Sequence, residues 1–479
     1  MSAISNSEAS PIRVAVVGGG IAGITLAIAL AQASTTKSMS VHLYEAAPHF
    51  TETGAGIGMF RRPWQVMKRL NLGEEIKTVA NIPDDEDSLN LAFRMSKSDE
   101  PRSTQEFDMF IPFGNITMHR VEFQNALAHH LEHEAITTHF GKRLLEYTLE
   151  ANGGILLHFR DGSTEQYDVL IGADGIHSAT RQSMIQLAIN DAQAAGNTDL
   201  VKDLSRPGIK DPVWSGSVAY RSLIPSDKLR ELNPNHATLT APVNYMGKDK
   251  HIIAFPVSLG KSVNFVGFVS QPEMEGTVWE GKTVVQRTHE DVAKAYEGWE
   301  EEVEQLVKLI DSPSMWAINT LKALPIASHG PVAIIGDAAH AMTPNQGSGA
   351  GQAIEDAYVL AALLTHPSVT RDSIPRALKI YEKIRLPHGN DVQRRSRENG
   401  KLYEFAADER FPHLSTVSTT TAGATATDTS ETDVRGIDAN RLVKEIGEAA
   451  VENWKWAWTT DVETDKMEAI RMLEEGEEA

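Results

Sequence analysis

Cysteine is missing altogether, which excludes disulfides, thiolate metal sites and a cysteine nucleophile and fits a reducing, cytoplasmic setting. Positive charge is in deficit as well: 45 Lys and Arg against 65 Asp and Glu leave a formal −20 with no basic cluster, so nucleic acid and anionic membranes are disfavoured as partners. Nor is there an unbroken apolar span. Residues 12–33 have the length for one, but Gly18, Gly19, Gly20 and Gly23 interrupt them where a strand should turn into a helix, and no membrane span is expected. The start, Met1 to Pro11, is polar, lacks the basic opening of a secretory signal and reads as a disordered leader. What remains, 41% hydrophobic and 23% charged over 479 residues, is globular composition sufficient for two or three lobes.

Glycine-rich punctuation carries the functional signal. Gly18-x-Gly20-x-x-Gly23 follows the strand-like run Ile12–Val17 and opens a helix over Ile21–Ala33, and Glu45 ends the next strand, Val41–Tyr44. That spacing is a dinucleotide fingerprint: the glycines allow a tight turn, admit a pyrophosphate and let helix pack on strand, while the acid can accept ribose hydroxyls. A second signal is Gly336-Asp337 through Gln352, behind the short apolar run 331–335. Asp337 falls past a strand's carboxyl end. Pro344, Gly347, Gly349, Ala350 and Gly351 then lead into an apolar helix to Leu364 whose positive end faces any ligand there. On its own this segment could also be an ordinary glycine-rich loop capping a core helix. The third signal is Asp168–Arg181, a buried strand ending in Asp174-Gly175.

Around these, His119-Arg120 opens a predicted helix to about His133, and Leu156–Arg160 and Thr164–Tyr167 form a hairpin about Asp161-Gly162. Ser217–Ile224, His251–Val257 and Ser262–Val269 read as strands, with a charged helix near 288–310 and a long helix over Ile374–Asn399. Residues 415–433, rich in Ser, Thr, Ala and Asp, read as a flexible loop. Helical periodicity returns from about Asp438, where Trp454, Trp456 and Trp458, spaced by two, are expected to pack one face on the body. The fold class is therefore α/β: a Rossmann-like dinucleotide-binding domain in two parts (12–183 and 326–400), an interleaved β-rich substrate domain (184–325), and a linker with a C-terminal helical segment (401–479). His129 and His133 have i,i+4 spacing, but without an accompanying carboxylate motif they read as helix surface, and no metal site is expected.

Taken together, the segments 18–45, 168–181 and 336–352 resemble the conserved set of the flavoprotein aromatic hydroxylases of the p-hydroxybenzoate hydroxylase type, most closely the salicylate hydroxylase-like branch. The resemblance spans most of 12–400, including Gly54-Ala55-Gly56-Ile57 and His119-Arg120. It implies that Gly18, Gly20 and Gly23 hold the FAD pyrophosphate, Glu45 the adenosine ribose, Gly56 and Arg120 the cofactor, and Asp174 both FAD and reduced nicotinamide. Asp337 would bind the ribityl chain and Pro344–Gly351 would line the isoalloxazine ring. NAD(P)H is implied as co-substrate without a nucleotide fold of its own, and no second GxGxxG is present.

The activity implied is NAD(P)H- and O2-dependent hydroxylation of a small phenolic or aromatic-acid substrate through a flavin C4a-hydroperoxide, with or without decarboxylation. Arg221, with Tyr220 beside it, is the candidate pair for a phenolate or carboxylate; an arginine satisfied in the interdomain core explains Arg221 equally well. His340 lies near the cofactor without being assigned as an acid or base. In Phe60-Arg61-Arg62-Pro63-Trp64 the sequence departs from the family pattern, placing two cations and an aromatic near the expected entrance. The Ser/Thr-rich insertion has a eukaryotic cast, in which the substrate is expected to be a secondary metabolite. Epoxidation of an olefin on the same fold and a non-catalytic flavin-binding module are the alternatives, and a homodimer is left open.

Overall fold

The structure is a computed structural model that describes residues 11–33, 39–50, 56–101, 106–151, 153–406 and 439–476. Residues 1–10 of the expected leader, the stretch 415–433 and Gly54-Ala55 lie outside them. At its centre is a six-stranded sheet in the order Ser328–His329, Val332–Ile334, Val169–Gly172, Ile12–Val17, Met39–Tyr44, Ile136–His139. Its neighbours run parallel except for the first pair. Val14–Val17 and Val169–Gly172 are buried almost throughout, as strands covered on both faces must be. The register sets Val17 against both Tyr44 and Gly172, and Gly172 against Ile334. Four strands thus end at one edge, where Gly18, Glu45, Ala173-Asp174 and Gly336-Asp337 leave the sheet side by side. That edge is where open α/β sheets bind ligands.

Helix Ile21–Ala33, buried from Ile21 to Ala31, packs between this sheet and helix Gly349–Leu364. The hairpin expected about Asp161-Gly162 is present, as Ile155–Phe159 paired with Thr164–Tyr167 and flanked by Leu144–Leu149. The helix from Arg120 stops at Ala128 and continues as a single tighter turn to Leu131, and the charged stretch expected as one helix is two, His289–Ala295 and Glu301–Lys308. Gly298, at φ +77°, separates them in a conformation a helix cannot contain.

The second body is an eight-stranded sheet: Val284–Gln286, Ser314–Thr320, Val213–Pro225, Ser262–Ser270, Lys250–Val257, Val243–Gly247, Leu89–Lys97, Glu106–Pro112. The three strands read from the sequence are there. Its last two come from a stretch that a division at residue 184 would leave with the FAD-binding body. One face is covered by helices Ser226–Leu232, His289–Ala295 and Glu301–Lys308. The other carries Ala219, Ile253, Phe255, Val266 and Phe268 toward helix Ala439–Trp454 and the end of the long helix Ile374–Tyr403. A two-stranded ribbon, Gly56–Met59 with Ile116–His119, bridges the bodies through a 2.9 Å bond from Gly56 N–H to Asn264 Oδ1. Among the described residues no helix is long and apolar enough to cross a membrane.

Candidate active site

The first glycine turn has a distinct reason at each position. Gly18 sits at φ +111°, and a Cβ there would lie 2.2 Å from the Ala173 carbonyl. A Cβ on Gly23 would lie 1.9 Å from Gly18 O, so this glycine is what lets helix meet strand. A Cβ on Gly20 would meet nothing within 4 Å, which leaves open space in front of the helix N-terminus, as a pyrophosphate requires. Glu45 stands beside the turn with its carboxylate accepting Gly19 N–H (2.8 Å) and Ala47 N–H (2.7 Å). Gln124, on the Arg120 helix, donates to Gly19 O at 2.7 Å.

The other two strand ends complete the cleft. Asp174 turns its carboxylate to the next helix, accepting from Ser178 Oγ and from the Thr180 N–H (3.0 Å) and hydroxyl (3.1 Å), so that side chain is engaged internally. Asp337 is exposed in a run whose neighbours Gly336, Ala338, Ala339 and His340 are buried, and its Oδ1 would stand 3.9 Å from a Cβ on Gly349. A short turn over Pro344–Gln346 ends on Gly347, left-handed at φ +61° and exposed, before helix Gly349–Leu364. The turn is held from behind. Ser396 Oγ donates to Thr343 O at 2.5 Å, Gln346 Nε2 donates to Asn453 O and Trp454 Nε1 donates to Gln346 O, both at 3.1 Å.

Beneath this loop lies a charge network that the sequence reading did not find. Glu355 and Asp356, both fully buried on helix Gly349–Leu364, face Arg62 and Arg385. Arg62 forks onto Glu355 at 3.1 and 2.8 Å, Arg385 Nε reaches Asp356 at 3.0 Å, and Asp465 of the C-terminal helix Val462–Glu475 closes the set at 2.7 and 3.0 Å. Asp356 also accepts from Gly336 N–H at 3.0 Å and pairs with His340 Nε2 at 2.6 Å. Burial raises the Asp356 pKa, but His340, Arg385 and the Gly336 N–H outweigh it and bring it down to about 2. His340 is thus buried and engaged with Asp356 behind the loop. Arg62 is likewise taken up inside, and Arg61 pairs with Asp87 at 2.6 Å, so neither cation of 60–64 is left open to a ligand. The available signal was two acids inside an otherwise apolar helix, since buried charge demands partners.

On the face of the large sheet that carries Ala219, Phe255 and Val266, Arg221 lies over the Trp316 ring, 4.8 Å from its centroid. Its Nε is buried without a hydrogen-bond partner, and its pKa is pushed down to about 10 by burial and then by the charge of Arg120. The two arginines read from the sequence are therefore near enough for the charge of one to act on the other, although a hundred residues apart. Tyr220 does not join them. Alternation along the strand turns it to the opposite face, against the cluster that holds Tyr296 and Phe265, so it is not placed to share a ligand with Arg221. Among the described residues no cluster of His, Asp and Glu is suited to a metal ion.

These features suit FAD: open space at Gly20, an exposed Asp337 and Gly347 in a buried setting, and buried amide N–H groups on Gln352 and Asn264 that nothing in the protein accepts. Comparison with known proteins agrees. Residues 11–396 match a family model described as FAD binding domain. A salicylate hydroxylase of Pseudomonas putida is 33% identical over 98% of this chain and 96% of its own length. A 6-methylsalicylate 1-monooxygenase of Aspergillus terreus is 32% identical over 82% of this chain and 83% of its own. A solved salicylate hydroxylase substrate complex superposes with a TM-score of 0.75 at 30% identity, covering 96% of this chain and 98% of the other. The chain belongs to the FAD binding domain family and, within it, to the FAD-dependent monooxygenases that hydroxylate aromatic rings.

Proposed function

We propose that the substrate is a hydroxylated aromatic carboxylate whose anionic group is received by Arg221, with Arg120 nearby, where the large sheet meets the cofactor cleft. The observation that carries this reading is the partly buried Arg221 guanidinium, whose Nε is buried without a hydrogen-bond partner. Holding a cation out of water without a counter-charge is unfavourable, and a second arginine nearby makes it worse, so an anion is what completes the pair. The relatives' names, salicylate and 6-methylsalicylate among them, point to the same class.

When bound, FAD supplies the redox chemistry, taking a hydride from NAD(P)H and transferring one oxygen atom from O2 to the ring. The chain's own part is placement. Gly18, Gly20 and Gly23 receive the pyrophosphate, Glu45 the ribose, Asp337 the ribityl chain and Pro344–Gly351 the ring, while Gly56 and the backbone at Asp174-Gly175 border the cleft. A guanidinium beside the substrate favours the phenolate over the phenol, which makes the ring electron-rich at the moment it is attacked. Trp316, Phe255 and Val266 make the surroundings apolar and keep water out.

Arg221→Ala tests the assignment. An aromatic acid should bind about 10- to 100-fold more weakly, the worth of a charge-assisted pair, and should no longer accelerate NAD(P)H oxidation, while FAD content measured by absorbance stays at the wild-type level. Loss of FAD or of folding would mean that Arg221 is an interdomain core residue instead. Turnover under labelled O2 should place one labelled oxygen on the ring, and carboxyl-labelled substrate shows whether CO2 leaves with it.

A further inference from the structure

We propose that the C-terminal segment supplies part of the flavin pocket, with the Trp456 indole N–H and the Gln352 side-chain amide acting as paired donors to the carbonyl-bearing edge of the isoalloxazine. The segment lies beyond the residues matched by the family model, which end at 396. It nevertheless reaches the site. Trp456 shares a small cleft with Gly58, Phe60, Gly347, Gly351 and Gln352, between the Gly56–Met59 strand and the first turn of the loop helix.

Two polar groups in this cleft have nothing to bind within the protein: Trp456 Nε1 and Gln352 Nε2, both buried and without a hydrogen-bond partner. Their orientation is fixed. Gln352 is fully buried and its Oε1 accepts from Arg385 at 2.8 Å. Arginine has only donors, so the oxygen must face Arg385 and the NH2 must face away from it. Trp456 is held by the Arg62 guanidinium 5.9 Å from its ring centroid and by His388 edge-on at 5.2 Å. An indole nitrogen can only donate, and a buried unmade donor is unfavourable. Two unpartnered N–H groups on residues that line one cleft therefore call for a ligand with acceptors, and the cleft borders Gly347–Gly351. The segment is tied down where this demands it, through Trp454 to Gln346 and through Asp465 to Arg62 and Arg385.

The inference rests on the reading that Gly347–Gly351 border the ring, and the variants separate the two. In purified holoprotein, Trp456→Phe should weaken FAD binding about fivefold, the size of one net hydrogen bond, shift the visible flavin band and make the midpoint potential more negative. Trp458→Phe, on the same segment but outside the cleft, should change none of these. Gly351→Leu, which fills the cleft, should block flavin binding. If Gly351→Leu abolishes flavin binding while Trp456→Phe behaves as wild type in all three readouts, the present proposal is wrong and the placement of the ring stands. If Gly351→Leu retains flavin with wild-type affinity, the placement falls and the proposal with it. A change confined to the dissociation constant of the aromatic acid would assign Trp456 to the substrate and likewise overturn the proposal. Should Trp456→Phe not fold, the unmutated apoprotein decides: 2-thio- and 4-thio-FAD carry weak acceptors in place of the carbonyl oxygens, at least one should bind several-fold more weakly than FAD, and equal affinity for both refutes the assignment.

Discussion

Gly20 and Gly23 are interchangeable as letters of a motif, and their surroundings separate them. A Cβ on Gly23 has nowhere to go, 1.9 Å from the Gly18 carbonyl, whereas one on Gly20 meets only open space. Gly23→Ala should therefore destabilise the fold by about 1–3 kcal/mol through overpacking, seen as a lower denaturant midpoint with or without FAD. Gly20→Ala should leave apoprotein stability within about 0.5 kcal/mol and weaken FAD binding by tenfold or more, because its methyl group occupies phosphate space. Equal loss of stability in both variants would sink this distinction. Arg221 and Tyr220 make the complementary point. Adjacency in sequence suggested a pair, but a period of two sends neighbours to opposite faces, so only one of them could face the cleft. The tryptophans at 454, 456 and 458 do pack on the body as expected, all three against the same core, but unequally. Spacing by two aligns residues on a strand and scatters them on a helix, and here Trp454 is buried at a helix end while Trp456 and Trp458 are only partly covered.

At the scale of elements, helix Gly349–Leu364 was legible as an apolar run after glycines, but the partners of Glu355 and Asp356 were not. They are Arg62 and Arg385, on two other helices and themselves shared with Asp465 on a third, and helical periodicity says nothing about what lies across an interface. His388 shows what that interface does to a titrating group. It lies on the long helix near Glu355, Asp356 and Asp465, yet its pKa is held well below its ordinary 6.5, by burial first and then by Arg385 and Arg62. Folded, it stays neutral where the unfolded chain would take up a proton. Its contribution to stability is thus complete above pH 6.5 and is lost as pH falls below that value, at up to about 1.4 kcal/mol per pH unit. Denaturant unfolding between pH 7 and pH 5.5 should show a steeper loss for the wild type than for His388→Gln. Parallel slopes would mean that His388 takes up its proton as freely folded as unfolded.

For the whole molecule, the cofactor edge was legible because each of three distant segments carries its own punctuation, a strand followed by glycine and acid, and parallel pairing aligns their ends. Strands Leu89–Lys97 and Glu106–Pro112 had no such mark. Their place in the second sheet is set by pairing with Val243–Gly247 far downstream, and that register is a property of the assembled body rather than of either strand. The net charge is the other property of the whole. A formal −20 surrounds a cleft whose proposed ligands, NAD(P)H and an aromatic carboxylate, are anions. At about 0.01 M salt the screening length is about 30 Å and the approaching anion feels the acidic body; at 0.15 M it is about 8 Å and that repulsion fades. The proposed contact with the partly buried Arg221 would be short and would be screened far less. The two effects pull in opposite directions, and the long-range one changes more over this interval. The KM for the aromatic acid should therefore fall about two- to threefold between these salt concentrations, with kcat unchanged, in steady-state assays at fixed pH. A KM that rises instead would show that the arginine pair governs approach as well as binding, and that the acidic surface is turned away from the path the substrate takes.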